Sequence, residues 1–168
     1  MRVISGKYKG KKLLGFNVNG TRPTMDRIKE SLFAIIQDCL KGSIVLDLFA
    51  GSGSLGLEAL SNGSKKCYFV DINIDAVRKN TSGIEEVTIL KADWKEALDK
   101  FKNIKFDIIF LDPPYGFNIN EVIDKIIEYD LINLGGIIVC ESETEINNSL
   151  ELIKSKCYKD KWISIFKK

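Results

Sequence analysis

The sequence predicts a doubly wound α/β domain around a mostly parallel sheet. Three observations carry this prediction. Short apolar runs alternate with longer stretches of helical periodicity along the chain. A glycine turn, Gly51-x-Gly53-x-x-Gly56, follows the strand-like Ile44–Asp47 and opens an apolar-rich segment. Four aspartates, Asp47, Asp71, Asp93 and Asp112, each fall just after such an apolar run. Sheets of this kind collect their ligands at the carboxyl ends of the strands.

The 168 residues suit one domain, 1–168, with a substantial core. Hydrophobic residues make up 45% and charged residues 29%, the balance of an ordinary globular protein. No apolar run reaches the length of a membrane span and no signal-like apolar segment opens the chain. A cytoplasmic protein with no membrane partner, acting as a monomer, is expected. There is no histidine, and Cys39, Cys67, Cys140 and Cys157 form no CxxC pair. No metal site is expected, and Ser-His or Cys-His nucleophile chemistry is excluded.

The first 25 residues carry six basic groups and no acid, on a body that is otherwise mildly acidic. Residues 1–24 are read as a basic arm, and 25–168 as a helix followed by the core. Two short strands, around Arg2–Ser5 and Lys12–Phe16, flank a connection at Gly6–Gly10. Lys7, Lys9, Lys11, Lys12 and Arg22 could neutralise phosphates, and Tyr8 could stack on a base. The alternative is a solvated, lysine-rich turn. After a loop at Asn17–Gly20, Pro23 disfavours helix at Arg22 and Thr24 reads as an N-cap for a helix from Met25 to Leu40.

The remaining elements follow in order. Lys66–Val70 is a strand closing at Asp71, Ile74–Asn80 a short helix, and Glu85–Leu90 a strand. A helix is expected over Lys95–Phe101. Phe106–Leu111 is a continuous apolar run, as in a strand covered on both faces. Asn118–Tyr129 reads as helix, and Ile137–Cys140 as a strand preceded by Gly135-Gly136. Thr144–Lys154 reads as helix again. Lys156–Tyr158 and Trp162–Phe166 read as a closing hairpin around Lys159-Asp160-Lys161.

The glycine turn fits a dinucleotide fingerprint, but the strand before it ends in an acid. A carboxylate there repels a pyrophosphate and suits a ligand carrying an ammonium or sulfonium. S-adenosylmethionine carries both. The alternative is a tight turn with no ligand. Asp71 lies 20 residues beyond Gly51, where an acid can accept from ribose hydroxyls. It could equally cap the next helix. Asp93 reads either as an acceptor for an adenine amino group, with Trp94 beside the ring, or as the cap of the helix that follows.

Asp112-Pro113-Pro114-Tyr115 is the second chemical motif. Two prolines stiffen the turn. Pro114 has no N–H, so the Pro113 carbonyl is free to face a cleft. With the Asp112 carboxylate it can grip both hydrogens of an exocyclic amino group. That grip favours the pyramidal nitrogen and stabilises positive charge as it develops there. Tyr115 offers a ring face to a base. The alternative is a rigid corner with an incidental aromatic.

Together these motifs resemble the class I S-adenosylmethionine-dependent amino-methyltransferases. MRVISGKYKGKKL, TRPTMDRIKESLF, VLDLFAGSGSLGLEAL and FDIIFLDPPYG, with the closing hairpin, resemble more narrowly the RsmD family, which methylates guanine N2 in 16S ribosomal RNA. The resemblance implies a Rossmann-like seven-stranded sheet with its last strand antiparallel, and an N-terminal hairpin extension that meets RNA of the small ribosomal subunit or its assembly intermediate. It places Asp47, Phe49, Ala50, Gly51 and Gly53 at the methionine end of the cofactor. Asp71 and Ile72 would lie at the ribose, Asp93 and Trp94 at the adenine, and Asp112 to Tyr115 at the target base, with Asp112 also touching the cofactor. Arg22 and Thr24 would lie near the cofactor and the incoming RNA. The segment between Asp71 and Asp93 is shorter than usual for the family. Adenine N6, cytosine N4, and a non-catalytic RNA-binding or assembly role on the same scaffold are the competing readings.

Overall fold

The computed structural model describes residues 1–15, 22–159 and 161–168, and of residues 22–25 the backbone alone. A seven-stranded sheet has the order β3-β2-β1-β4-β5-β7-β6. Its strands are β1 (Ile44–Asp47), β2 (Lys66–Asp71), β3 (Val87–Lys91), β4 (Phe106–Leu111), β5 (Ile132–Ser142), β6 (Glu151–Tyr158) and β7 (Lys161–Lys167). The first five run parallel, and β7 lies antiparallel between β5 and β6.

Side chains alternate along each strand, so the sheet builds two cores. In β4, Ile108 and Phe110 face one layer while Ile109 and Leu111 face the other. The first layer holds α1 (Arg22–Leu40), α2 (Ser54–Ser61) and α3 (Asp75–Asn80), the second α4 (Trp94–Lys100) and α5 (Ile119–Glu128). α1 buries Leu32, Phe33, Ile36 and Leu40 while Ile35 and Cys39 stay exposed, and α5 buries Val122, Ile123 and Ile126.

Four expectations need correction. The helix predicted over Thr144–Lys154 is absent; the chain from 143 to 150 is irregular and then enters β6. The Asn148 side chain accepts from Leu150 N at 2.8 Å, a local bond that competes with helix. β7 then offers β6 a full ladder, Leu152 opposite Phe166 and Tyr158 opposite Lys161, which overrides the helical spacing. The closing hairpin is therefore longer than predicted. β5 starts at Ile132, passing through Gly135-Gly136 with a register shift against β4. Finally, α1 starts at Arg22, so Thr24 lies inside the first turn and is not the N-cap. Proline is tolerated there because first-turn N–H groups have no intrahelical partner. Phe16, the loop predicted over Asn17–Gly20, and Asp160 lie outside the described residues, as do the side chains of Arg22 and Thr24.

Residues 1–15 form a narrow hairpin closed by an antiparallel bridge between Arg2 and Lys12. It is built into the first layer, with Val3 and Leu13 in the core. A buried ion pair anchors it. Lys29 Nζ lies 3.0 Å from Glu58 Oε2 and donates to Arg2 O at 2.8 Å. Glu58 in turn accepts from Ile4 N and Ser5 N, both at 2.9 Å. Removing one partner of a buried pair strands the other charge. Glu58→Ala should cost roughly 3–5 kcal/mol of stability, read as a shift in the denaturation midpoint. A loss below about 1 kcal/mol, the range of a surface pair, would mean that this pair does not hold the arm.

Candidate active site

β1 ends at Asp47, which is 2% exposed. Its Oδ2 accepts from Gly56 N at 3.0 Å, tying the strand end to the first turn of α2. Between them the chain turns through Gly51 (φ 53) and Gly53 (φ 78), left-handed positions that glycine adopts without strain. Gly53 and Gly56 also let α2 lie close on its neighbours. A Cβ at Gly53 would meet Val77 Cγ2 at 2.8 Å, and one at Gly56 would meet Phe69 Cε1 at 2.3 Å. Asp71 holds the other side of the turn, its Oδ2 accepting from Gly51 N at 2.7 Å and its Oδ1 from Asn73 N at 2.9 Å. Asn80, at the end of α3, donates to Ser52 O and accepts from Leu14 N, both at 2.9 Å, and so joins the arm to the turn.

A cleft of about 800 Å³ opens at this end of the sheet. Asp47, Phe49, Ala50, Gly51, Asp71, Ile72, Asp93, Trp94, Asp112 and Pro114 all line it, so ten of the sequence-predicted site residues meet in one cleft. Gly53 is not among them and packs behind the turn. Asp93 caps α4, its Oδ1 accepting from Lys95 N and Glu96 N at 2.8 and 3.0 Å. Those bonds use one oxygen, which leaves Oδ2 for a ligand. Phe117 packs edge-on to both Phe49 and Trp94, with ring centroids 5.2 and 6.1 Å away, and closes the apolar side. Ile72 is 71% exposed, an apolar surface held open beside the cleft.

A second cavity of about 320 Å³ adjoins the first. Both volumes fall in the range of small-ligand sites. Asp112, Pro114 and Phe117 line both cavities and form the wall between them. Pro113 and Tyr115 line only the second, and Tyr115 is 70% exposed there. Three further residues at this cavity have no local sequence signal. Glu141 lies at the end of β5 beside Asp112, Lys161 opens β7 and pairs with Glu141, and Glu143 accepts from Gly116 N at 2.8 Å, holding the loop after Tyr115. Phe117 was equally silent in the sequence.

The predicted RNA contacts do not all gather at this end. The hairpin runs along α2, with Met1 against Ser54 and Gly6 against Ser61. Lys7 pairs with Glu86, just before β3, and half-buried Tyr8 packs on the first core. Lys7, Tyr8 and Lys9 thus lie roughly 12 Å from the cleft, the length of an eight-residue helix. Lys11 and Lys12, on the returning arm, lead back toward it.

The electrostatics of the two acids are distinctive. Burial pushes the Asp47 carboxyl up to about 7; the Gly56 N–H opposes this and the Asp71 charge adds to it. No lysine or arginine among the described residues offsets its charge. A buried carboxylate facing a cleft without a cation fits a ligand that brings one. Asp112 is likewise raised to about 7, first by desolvation and then by the Glu141 charge, against the opposing charge of Lys161. Its surface is open to the two cavities, so water moderates this rise until both are filled.

Because the folded-state value of Asp47 lies above its unfolded value, the folded chain holds a proton that the unfolded chain releases. Stability therefore falls as pH rises from about 4 to about 7 and stays low above that. Asp47→Asn should flatten much of this fall and raise the melting temperature near pH 8. An unchanged pH profile in the variant would show that Asp47 does not titrate in this way.

The family described as "Conserved hypothetical protein 95" matches residues 1–167. The YlbH protein of Bacillus subtilis is 36% identical over all of this chain and 99% of its own. The ribosomal RNA small subunit methyltransferase D of Haemophilus influenzae is 36% identical over 86% of this chain and 80% of its own. The solved structure of yhhF from Escherichia coli superposes with a TM-score of 0.86 at 28% identity, covering 100% of this chain and 97% of that one. With the glycine turn, the four strand-end acids and the proline loop in one site, the chain belongs to this family, that of the RsmD methyltransferases.

Proposed function

We propose that the protein transfers a methyl group from S-adenosylmethionine to the N2 amino group of a guanine in ribosomal RNA of the small subunit. The observation that carries this reading is the shared wall. Asp112 and Pro114 separate a cleft suited to a cationic nucleoside from a smaller cavity bearing an exposed aromatic ring. The family is S-adenosylmethionine-dependent, and the relatives named ribosomal RNA small subunit methyltransferase D support RNA as the substrate.

In the larger cleft Asp47 would hold the ammonium and Asp71 the ribose, and Asp93, with Ile72 and Trp94, would hold the adenine. Bound there, S-adenosylmethionine would supply an electrophilic methyl group on a positively charged sulfur. In the smaller cavity Tyr115 stacks on the base. Asp112 and the Pro113 carbonyl accept the two amino hydrogens, orient the nitrogen lone pair toward the larger cleft and stabilise its growing charge. Asp112 then takes the released proton or passes it to water. The base must leave its stack to arrive here, which an unpaired RNA segment permits. The basic strip Lys7, Tyr8, Lys9, Lys11 and Lys12 follows the RNA backbone from the cleft toward the far end of the sheet, and Arg22 belongs to the same interface.

Mass analysis of small-subunit RNA incubated with enzyme and cofactor should find N2-methylguanosine; methylation of adenine or cytosine alone would overturn the proposal. Asp112→Ala should bind cofactor as the wild type does yet turn over at least about a hundredfold more slowly, the scale of a lost charge-stabilising group; near-normal turnover would remove Asp112 from the chemistry. The wild-type single-turnover rate should rise with pH through about 7 as Asp112 loses its proton, and a rate independent of pH would contradict its role as acceptor. Replacing Lys9, Lys11 and Lys12 by alanine should weaken RNA binding and reduce the salt slope by close to one for each phosphate that is no longer neutralised; an unchanged slope would move the RNA off the arm.

A further inference from the structure

We infer that Glu141 and Lys161 complete a reader of the guanine Watson–Crick edge, with Glu141 accepting from N1–H and Lys161 donating to O6 while Asp112 holds the N2 amino group. This rests on the guanine-N2 reading above and assigns the residues that select the base.

The placement follows from strand register. β4 and β5 pair in parallel with Leu111 opposite Cys140, so Asp112, the first residue beyond β4, stands beside Glu141, the next residue of β5. Adjacent strands lie roughly 4.8 Å apart, near enough for two carboxylates to address neighbouring groups of one ring. The Glu141 charge is close enough to raise the Asp112 carboxyl. β7 runs back against β5, with Ser142 opposite Trp162, and so brings Lys161 to the same end. The Lys161 ammonium pairs with Glu141 and stands 5.4 Å from the centre of the Tyr115 ring. All four residues line the smaller cavity.

Read across the cavity, the protein offers acceptor, acceptor, donor. The guanine edge offers N2–H, N1–H and O6, which is donor, donor, acceptor. Adenine and cytosine also carry an exocyclic amino group, but the ring nitrogen beside it is an acceptor. Set against Glu141, that lone pair would face a carboxylate with no proton between them. A site built to bond a particular N–H rejects analogues lacking it, because its own buried polar group is left unpaired. Lys161 has three N–H donors, enough to keep Glu141 and reach O6 together. Its positive charge also offsets the crowding of Asp112 and Glu141 where a polyanion must approach. Partial burial works against the Lys161 ammonium, but Glu141, Asp112 and Tyr115 outweigh it and its pKa is raised, so it stays charged.

The test compares substrate RNA carrying guanine with the same RNA carrying 2-aminopurine at the methylated position. 2-Aminopurine keeps the amino group but has an acceptor at N1 and no O6. Wild-type enzyme should prefer guanine by roughly ten- to a hundredfold in kcat/KM, the scale of lost hydrogen bonds to charged groups. Glu141→Gln, whose amide can donate to the ring nitrogen, should collapse that preference to within a few-fold while cofactor binding by calorimetry is unchanged. Lys161→Met, which removes the O6 donor, should narrow the same ratio, and it carries the test if Glu141→Gln fails to bind cofactor. Equal use of both RNAs by the wild type, or a preference that survives in the variants, overturns the assignment. No N2-methyl product from wild-type enzyme on the guanine RNA overturns the reading beneath it.

Discussion

A buried carboxylate with too few donors organises this site. Asp47 is enclosed at the end of β1, and a single backbone N–H, from Gly56, is the group that lowers its pKa. Taking an ionised acid out of water is costly unless a partner charge arrives. The same acid sets where α2 begins, and the close approach of α2 to Phe69 and Cys67 makes glycine the residue that fits at 56. Asp71 pulls on the opposite side of the turn through Gly51 N. The geometry of the turn and the burial of its acid are thus one arrangement.

The wall between the two cavities follows from the next strand. From Ile108 to Leu111 β4 is apolar and buried on both faces, so over this stretch it changes character only where it leaves the sheet. It does so at Asp112, and the prolines that follow hold the chain stiffly between the two cavities. Phe117 returns from that loop to pack against Phe49 and Trp94, which links the proline loop to the wall of the larger cleft. Filling one cavity therefore bears on the shape of the other through shared side chains.

The N-terminal arm is part of the fold. Val3 and Leu13 sit in the first core, and Glu58 commits its carboxylate to two arm amides and to Lys29. Asn80 fastens the end of the arm to the glycine turn. An RNA backbone lying along this arm would rest on a rigid surface continuous with the cleft, so little ordering entropy is lost when it binds.

Local pattern alone determined much of this protein. Apolar runs, glycine placement and the acids after them depend on neighbours a few residues away, and they made the parallel α/β core and ten residues that line the larger cleft legible. The proline loop was legible for the same reason, since its stiffness is a property of its own backbone. Tertiary structure decided what depends on pairing between distant segments. The stretch before Tyr158 has helical spacing, yet it became β6 because β7 offered it a ladder. Glu141 and Lys161 look like ordinary surface charges until strand register sets one beside Asp112 and the antiparallel return of β7 brings the other. The direction of the arm along α2 was hidden too, because it rests on a buried ion pair between residues 29 positions apart in the chain. Short-range stereochemistry is written residue by residue, whereas register between strands is settled only when the whole sheet closes over its two cores.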